Sequence, residues 1–246
     1  MAARNSSRTY LRRFLERAAA EVAPGALVLD AGAGRAQHRG LFAHARYETA
    51  DFLAVKGKKY AQPDYVCDLA AIPVADARFD HVVCTQVLEH LPEPQRVIEE
   101  LGRVLNPGGR LWLSAPLFYA EHERPYDFFR YTQFGLRQLL ESARFEVIEI
   151  AWLEGYFGTL SYQVRVAGRA LPAGRAAYGG GARAVALAGA ARVARRAAPR
   201  VADVLAGLDE RHKVVDAGLP KNHTAVARKP LGADPGARRV PRAPGG

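Results

Sequence analysis

The sequence predicts an α/β fold: a mostly parallel sheet of seven strands, with helices on both faces and a helical insert before the last strand. Two observations lead to this prediction. Apolar strand-like segments alternate with amphipathic segments across residues 27–152 at the spacing of β–α units, which favours a parallel sheet covered by helices. Hydrophobic residues make up 49% of the 246 residues, enough to fill the core of such a domain.

The individual elements follow from periodicity, turn residues and caps. An amphipathic helix over residues 8–21 comes before the sheet. The seven strands are expected at residues 27–30, 46–50, 65–67, 79–84, 111–114, 145–152 and 223–228. Further helices are expected over residues 36–44, 93–105, 132–143, 160–171 and 182–208. Thr132 is expected to cap the helix that follows it.

Charge divides the chain into two parts. Residues 1–154 have a net charge of −1, whereas residues 155–246 contain 16 Lys and Arg against 5 Asp and Glu, a net charge of +11. We therefore predict a core with its N-terminal helix over residues 1–155 and a basic Ala/Arg-rich helical insert over residues 156–212. The last strand returns to the core within residues 213–229, and residues 230–246 have the composition of a disordered tail.

The insert contains one long amphipathic segment, residues 182–208, with Pro199 inside it. Three interpretations remain open: a lid over the ligand crevice, an interfacial helix on anionic lipid, and a nucleic-acid contact. The third is disfavoured because no aromatic residues are interleaved with the basic ones. A helical wheel places valines and leucines on one side and the cationic residues on another: Arg192, Arg195, Arg196 and Arg200.

A glycine turn follows the first strand in the segment VLDAGAGRAQHR. A dinucleotide fingerprint needs a third glycine at position 37, where this chain has Gln37. Asp30, just before the turn, would repel a pyrophosphate. With Gly32 and Gly34, that carboxylate suits a cofactor whose head is cationic or polar, such as the amino-acid part of S-adenosylmethionine.

Two more carboxylates stand at the ends of predicted strands. Asp51 has two oxygens that can accept hydrogen bonds from the vicinal hydroxyls of a ribose. Asp68 could accept the exocyclic amine of adenine, with Leu69 covering the ring. Since the carboxyl ends of parallel strands meet at one edge of the sheet, these groups are expected to share one crevice.

Four segments in order resemble the class I S-adenosylmethionine-dependent methyltransferases, including those of quinone biosynthesis. The segments are VLDAGAG, the D-L-x-x-I-P run of Asp68–Pro73, FDHVVCTQVLEHL and RVLNPGGRLWLSAP. The resemblance implies a Rossmann-like fold and S-adenosylmethionine as cofactor, and it gives the three carboxylates and the two glycines the roles just described. It also implies that Thr85 and Gln86 border the methyl donor. The chain departs from the pattern at Ala36, where a third glycine is common.

The segment EHERPYDFFRYT (Glu121–Thr132) resembles a subgroup of these enzymes and supplies the expected catalytic residues, His122 and Asp127. His122 could serve as a base for an acceptor hydroxyl, as a positioning residue or as part of the scaffold. Glu89 and His90 are expected to face the same crevice. The plainer interpretation of this pair is an acid at the start of a helix with a polar neighbour, without a role in the chemistry.

Acceptor recognition is the least determined part. Arg130 and Tyr131 are the expected substrate-binding residues, although Arg130 could instead pair with Asp127. The position after the fourth strand lacks the Asn/Asp-Pro-Pro-aromatic motif of base amino-methylation, which makes a nucleic-acid acceptor improbable. Cys67 and Cys84 have no metal-ligand spacing, and we expect no metal.

The expected activity is transfer of a methyl group from S-adenosylmethionine to a small-molecule or lipid- or glycan-linked acceptor (EC 2.1.1.-). The alternative is a non-catalytic binding module of the same fold that acts at a membrane or protein surface. No apolar run is long enough for a transmembrane helix or a secretory signal. We therefore expect a cytoplasmic location, with peripheral contact to anionic membrane left open.

Overall fold

The computed structural model describes residues 5–53, 57 and 59–232. Its seven strands are β1 (Leu27–Ala31), β2 (Arg46–Asp51), β3 (Tyr65–Val66), β4 (Phe79–Thr85), β5 (Leu105–Pro116), β6 (Glu146–Trp152) and β7 (Asn222–Arg228). Its five α-helices are α1 (Ser6–Glu21), α2 (Pro94–Val104), α3 (Gln133–Ser142), α4 (Tyr156–Ala170) and α5 (Gly181–Arg211). The predicted tail lies outside the described residues from residue 233 onward.

The strands form one sheet in the order β3-β2-β1-β4-β5-β7-β6, which confirms the predicted fold class. The first five strands of this order are parallel, and β7 runs antiparallel between β5 and β6. The chain order reverses between β1 and β4, so the crevice at the carboxyl ends of these strands is where an open α/β sheet binds its ligand.

The two faces of the sheet are buried against different helices. On one face, Val28 and Val83 pack with Phe14 of α1. On the other face, Leu29 and Val82 belong to a larger cluster that includes residues of α2 and α3. This alternation follows from the two-residue period of a strand, and it holds the strand ends rigidly beneath the crevice.

The helix predicted over residues 36–44 was wrong. The structure has only a 3₁₀ turn there, Arg39–Phe42. Gly34 and Ala36 have φ values of 53° and 49°, in the left-handed region, so the backbone cannot enter a right-handed helix until it has passed them. Ala36 thus occupies a conformation that glycine adopts more readily.

Other boundaries moved without changing the topology. β5 begins at Leu105 rather than at residue 111, because the Asn106–Gly109 segment already belongs to the strand. Thr132 does cap α3, accepting a hydrogen bond from the amide of Gly135. The last long helix runs without a break through Pro199.

The packing face of α5 consists of small residues, not of the valines and leucines. Val193 and Val204 are exposed, and the buried residues of the helix are mostly alanines. These alanines face α4, where a methyl group added to Gly168 would lie 2.4 Å from the Cβ of Ala198. The predicted cationic face also needs correction at Arg195, whose guanidinium turns inward and donates to the carbonyl of Leu171.

The insert is fixed to the core near the end of α5. Asp209 is buried, and its carboxylate accepts a hydrogen bond from the amide of Gly155. Tyr10 of α1 donates its hydroxyl hydrogen to the carbonyl of Asp209 at 2.6 Å.

Among the described helices, none combines the length and the apolar character needed to cross a bilayer.

Candidate active site

The glycine loop after β1 lies between the ends of β2 and β4. The amides of Gly32 and Ala33 both donate to the carbonyl of Ala50, at 2.8 and 3.2 Å. A Cβ built on Gly32 would lie 2.3 Å from a methyl carbon of Val87, just after β4, and the φ of Gly32 is 79°. Only glycine can follow this path, and the approach brings three strand ends together.

Asp51 is held at the end of β2, directly beside the loop. One carboxylate oxygen accepts a hydrogen bond from the amide of Gly34 at 2.8 Å, and the other accepts one from Leu53 at 3.0 Å. A carboxylate oxygen has more than one lone pair, so each can accept a further hydrogen bond from a hydroxyl. The structure thus places Asp51 directly beside Gly34, at the strand ends that were expected to share one crevice.

Asp30 is buried at the end of β1, and its carboxylate accepts a hydrogen bond from the hydroxyl of Tyr47. Burial raises the pKa of Asp30 to about 6, against the lowering effect of the Tyr47 hydrogen bond; the nearby charge of Asp51 adds to the rise. Sequence reasoning missed Tyr47. The alternation of β2 places residue 47 on a buried face, but its pairing with Asp30 depends on the register between the strands.

The two residues predicted for adenine differ in exposure. Asp68 is exposed, and one of its oxygens accepts a hydrogen bond from the amide of Ala70. Leu69 is only 4% exposed and belongs to the main core cluster. Its side chain therefore has little surface with which to cover a ring.

Thr85 is the last residue of β4, and Gln86 follows it directly. Thr85 pairs with Ser114 of β5. The side-chain amide of Gln86 donates to the Ser114 hydroxyl at 3.1 Å, and the φ of Gln86 is 56°. Both residues are half-buried next to Val87, which contacts the glycine loop.

The loop between β5 and α3 lies across the turn that follows β4, a 3₁₀ turn at Leu88–His90. The amide of Phe128 donates to the carbonyl of Glu89 at 2.8 Å. Tyr131 is buried, and its hydroxyl donates to the carbonyl of Leu88 at 2.9 Å. Contrary to the prediction, the hydroxyl of Tyr131 holds the loop in place rather than facing an acceptor.

Asp127 and Arg130 form a partly buried ion pair within this loop. The guanidinium of Arg130 donates to both carboxylate oxygens of Asp127, at 2.6 and 2.9 Å. This pairing holds the pKa of Asp127 well below its usual range. Of the two alternatives for Arg130, the structure has the pairing with Asp127.

His122 contacts the same carboxylate. Its Nδ1 lies 3.3 Å from Asp127 and 3.2 Å from the carbonyl of Ala120, and its amide donates to Asp127 at 2.7 Å. The two predicted catalytic residues are therefore adjacent. Asp127 fixes the orientation of the imidazole.

A groove of about 480 Å³ opens beside His122, between the loop and α4. The rings of Tyr119 and Tyr162 are stacked in its wall, with centroids 4.9 Å apart. The ammonium of the buried Lys221 lies over both rings, and burial lowers the pKa of Lys221. Sequence reasoning missed these residues, because they meet only when the insert packs on the core.

Glu89 is a buried acid without hydrogen bonds from its carboxyl group: it is fully buried, and neither carboxylate oxygen has a hydrogen-bond partner among the described residues. Burial raises the pKa of Glu89 to about 8. The plainer interpretation is an acid at a helix start beside a polar neighbour; in the structure, Glu89 lies in a short 3₁₀ turn and is fully buried.

Part of the chain is similar to known methyltransferases. The family model for a methyltransferase domain matches residues 29–113. The ubiquinone biosynthesis O-methyltransferase of Xanthomonas campestris pv. campestris is 40% identical over 119 residues, which cover 41% of this chain and 47% of that protein. The chain thus spans less than half the length of the first curated relatives it matches.

Solved structures share the fold over most of the chain. One is the 1,6-didemethyltoxoflavin-N1-methyltransferase of Burkholderia thailandensis, bound to 1,6-didemethyltoxoflavin and S-adenosylhomocysteine. It is 17% identical, covers 92% of this chain and 78% of its own, and has a TM-score of 0.52. The [4+2]-cyclase SpnF is 19% identical. The match covers 90% of this chain and 81% of the cyclase chain, and its TM-score is also 0.52.

The seven-strand sheet and the glycine loop define a nucleotide-type cofactor fold of the Rossmann-like class. Within that class, residues 29–113 match the methyltransferase-domain model, and the predicted resemblance to class I S-adenosylmethionine-dependent methyltransferases is confirmed.

Proposed function

We propose that this protein transfers a methyl group from S-adenosylmethionine to a small-molecule acceptor. The observation that carries the proposal is the position of Asp51. Its carboxylate is anchored by backbone amides of the glycine loop and of its own strand end, and it retains lone pairs for a diol. The family match over residues 29–113 supports the same activity.

The residues around Asp51 fit the cofactor. Nothing lies within 4 Å of a Cβ built on Gly34, so the loop leaves open space there. Asp51 would hold the ribose hydroxyls, Asp68 would accept from the adenine amine, and Gly32 and Gly34 would let the backbone approach the methionine part. Asp30 would accept a hydrogen bond from the methionine amino group, in addition to the one it accepts from the Tyr47 hydroxyl. When bound, the cofactor supplies an electrophilic methyl group on sulfur.

Side chains of the protein would bind the acceptor and orient it toward the methyl donor. Thr85 and Gln86 would border the methyl donor. The aromatic groove beside His122 would hold the acceptor, with Tyr119 and Tyr162 as its apolar wall. Asp127 orients His122 for contact with the acceptor nucleophile, either as a base or by positioning it. A dry, partly apolar site favours the transfer, since the charge on sulfur disappears in the reaction.

The acceptor could also be lipid-linked, and a second feature favours this. The outward face of α5 exposes apolar side chains, with Val193 66% and Val204 70% exposed. Beside them on the helix are Arg192, Arg196 and Arg200, all exposed. An apolar stripe bordered by cations suits the surface of an anionic membrane, and we propose that α5 contacts one.

Mass spectrometry of cell extracts incubated with the protein and S-adenosylmethionine tests the activity. We expect a compound that gains the mass of one methyl group in place of hydrogen in reactions with wild type but not with Asp51→Asn. Asp216→Asn is the control and should act like wild type, because Asp216 is an exposed aspartate between α5 and β7. Separate aqueous and lipid extracts distinguish the two acceptor classes. Cofactor binding without methylation in either extract would instead support the binding-module alternative.

A further inference from the structure

Three potential metal ligands converge beside the groove, on two separate segments of the chain. Glu89 and His90 lie on the turn after β4, and His122 lies on the loop between β5 and α3. One carboxylate oxygen and one ring nitrogen from each histidine all lie within 4.8 Å of one another. The two imidazole rings contact edge-to-face, with centroids 4.7 Å apart.

Glu89 provides an independent sign that a cation belongs here. Its side chain has no exposed surface, and both carboxylate oxygens lack hydrogen-bond partners among the described residues. Its Oε1 lies 3.8 Å from Nε2 of His90, so the carboxylate points into the cluster. A buried carboxylate without hydrogen-bond partners is costly in its charged form, and a bound cation would stabilise that form.

The histidines are oriented as metal ligands usually are. Nδ1 of His90 lies 2.5 Å from the carbonyl of Tyr126, and Nδ1 of His122 contacts the carbonyl of Ala120 and the carboxylate of Asp127. Carbonyls accept hydrogen bonds, so each neutral ring carries its hydrogen on Nδ1 and its lone pair on Nε2. Ligating histidines are commonly fixed by such contacts at the other ring nitrogen.

We propose that Glu89, His90 and His122 bind a divalent transition-metal cation, with Zn²⁺ as the representative. Imidazole ligands favour zinc, iron or cobalt over magnesium and calcium. Bond lengths of about 2.0–2.2 Å require the three ligand atoms to draw closer than they stand without the ion. Glu123, whose Oε2 lies 3.9 Å from Nε2 of His90, adds negative charge at the rim.

Three protein ligands leave a coordination position open, as in catalytic zinc sites. His122 also lines the groove, so this position is accessible to an oxygen of the bound acceptor. In that arrangement His122 acts as a ligand rather than as a base, and the cation lowers the pKa of the acceptor hydroxyl. This last role rests on the proposed function, whereas the binding of the cation does not.

The test is a titration of the full, tag-free and chelator-treated chain with Zn²⁺ by calorimetry, and with Co²⁺ by visible absorption. We expect one ion per chain and a Co²⁺ spectrum of an imidazole-containing site. His122→Ala and Glu89→Gln should each weaken binding by about tenfold or more. Glu121→Gln is the matched control, because Glu121 is an exposed neighbour that pairs with Arg124, and it should bind like wild type.

Two results would overturn the proposal: no stoichiometric binding by folded wild type, or equal affinity in wild type and both ligand variants. His122 lies on a partly exposed loop, so His122→Ala remains informative if the buried Glu89→Gln fails to fold. S-adenosylmethionine is absent from these titrations. Loss of cofactor binding and loss of metal binding are therefore separate outcomes.

Discussion

At the scale of single residues, Asp30 gives the clearest pH-dependent prediction. Its pKa in the folded protein, about 6, lies above the usual range of an aspartate because it is buried. The folded state therefore binds this proton more tightly than the unfolded state, and the associated stability is lost as pH rises from about 4 through about 6. Above about pH 6, Asp30 is ionised in both states, and its buried charge lowers the free energy of unfolding by a constant amount.

We predict that Asp30→Asn stabilises the fold relative to wild type, and more so at neutral pH. The amide oxygen can still accept the Tyr47 hydrogen bond without the buried charge. Between about pH 5 and about pH 7.5 the difference in unfolding free energy should grow by about 1 kcal/mol, measured by urea denaturation. A difference that stays constant, or that shrinks toward neutral pH, would show that Asp30 does not titrate in this way.

Sequence reasoning found residues whose positions follow from their place at a strand end. Asp51 is an example, since a residue after β2 must lie beside the loop after β1 in a parallel sheet. Tyr47 and Glu89 could not be found in this way. The contact of Tyr47 depends on strand register, and the isolation of Glu89 depends on a loop that begins about thirty residues later in the chain.

At the scale of elements, alanine substitutions in the glycine loop separate the cost of a left-handed backbone from the cost of a steric clash. Gly32 and Gly34 both have positive φ, but only a Cβ on Gly32 meets a neighbour, Val87, at 2.3 Å. We expect Gly34→Ala to cost about 1–2 kcal/mol for the left-handed backbone alone. Gly32→Ala should cost about 1–3 kcal/mol more because of overpacking.

The double variant Gly32→Ala/Val87→Ala checks this assignment in chemical denaturation. Removing the valine methyls should recover part of the loss from Gly32→Ala but not the backbone part. Equal destabilisation by the two single glycine variants would contradict the close approach of the loop to Val87.

The misassigned helix over residues 36–44 belongs to the same loop. Apolar periodicity there was weak, and sequence alone did not reveal that Ala36 adopts a left-handed conformation. Elements with strong periodicity and a helix-start signal, such as α2 with Pro94 in its first turn and the helix capped by Thr132, were predicted to within a few residues. The distinction is physical: repeated apolar contacts specify a long helix, whereas one φ angle redirects a loop.

At the scale of the whole molecule, the basic insert displays a surface that its own packing does not use. α5 packs on α4 through alanines, which leaves valines and arginines outward. The wheel found both sets of side chains. The helical wheel did not show which residues pack on α4. Close contacts between helices can use either large apolar residues or small ones, and α5 uses its alanines.

We predict that the chain co-sediments with vesicles containing anionic lipid and less with neutral vesicles, and that salt weakens the binding. Val193→Ser/Val204→Ser should reduce the bound fraction several-fold. Ile148→Ser is the matched control, since Ile148 is an exposed apolar residue on β6 rather than on α5. Equal sedimentation of wild type and the α5 variant would contradict a membrane contact.

The reaction itself depends on the site more than on the fold, since a [4+2]-cyclase shares this fold with methyltransferases. The central claim is that the crevice of this chain binds S-adenosylmethionine through Asp51. Its most direct test is a calorimetric titration with that cofactor. We predict one site per chain in wild type and in Asp216→Asn, and binding about tenfold or more weaker in folded Asp51→Asn. No binding at millimolar cofactor, or equal affinity in wild type and Asp51→Asn, would contradict the claim.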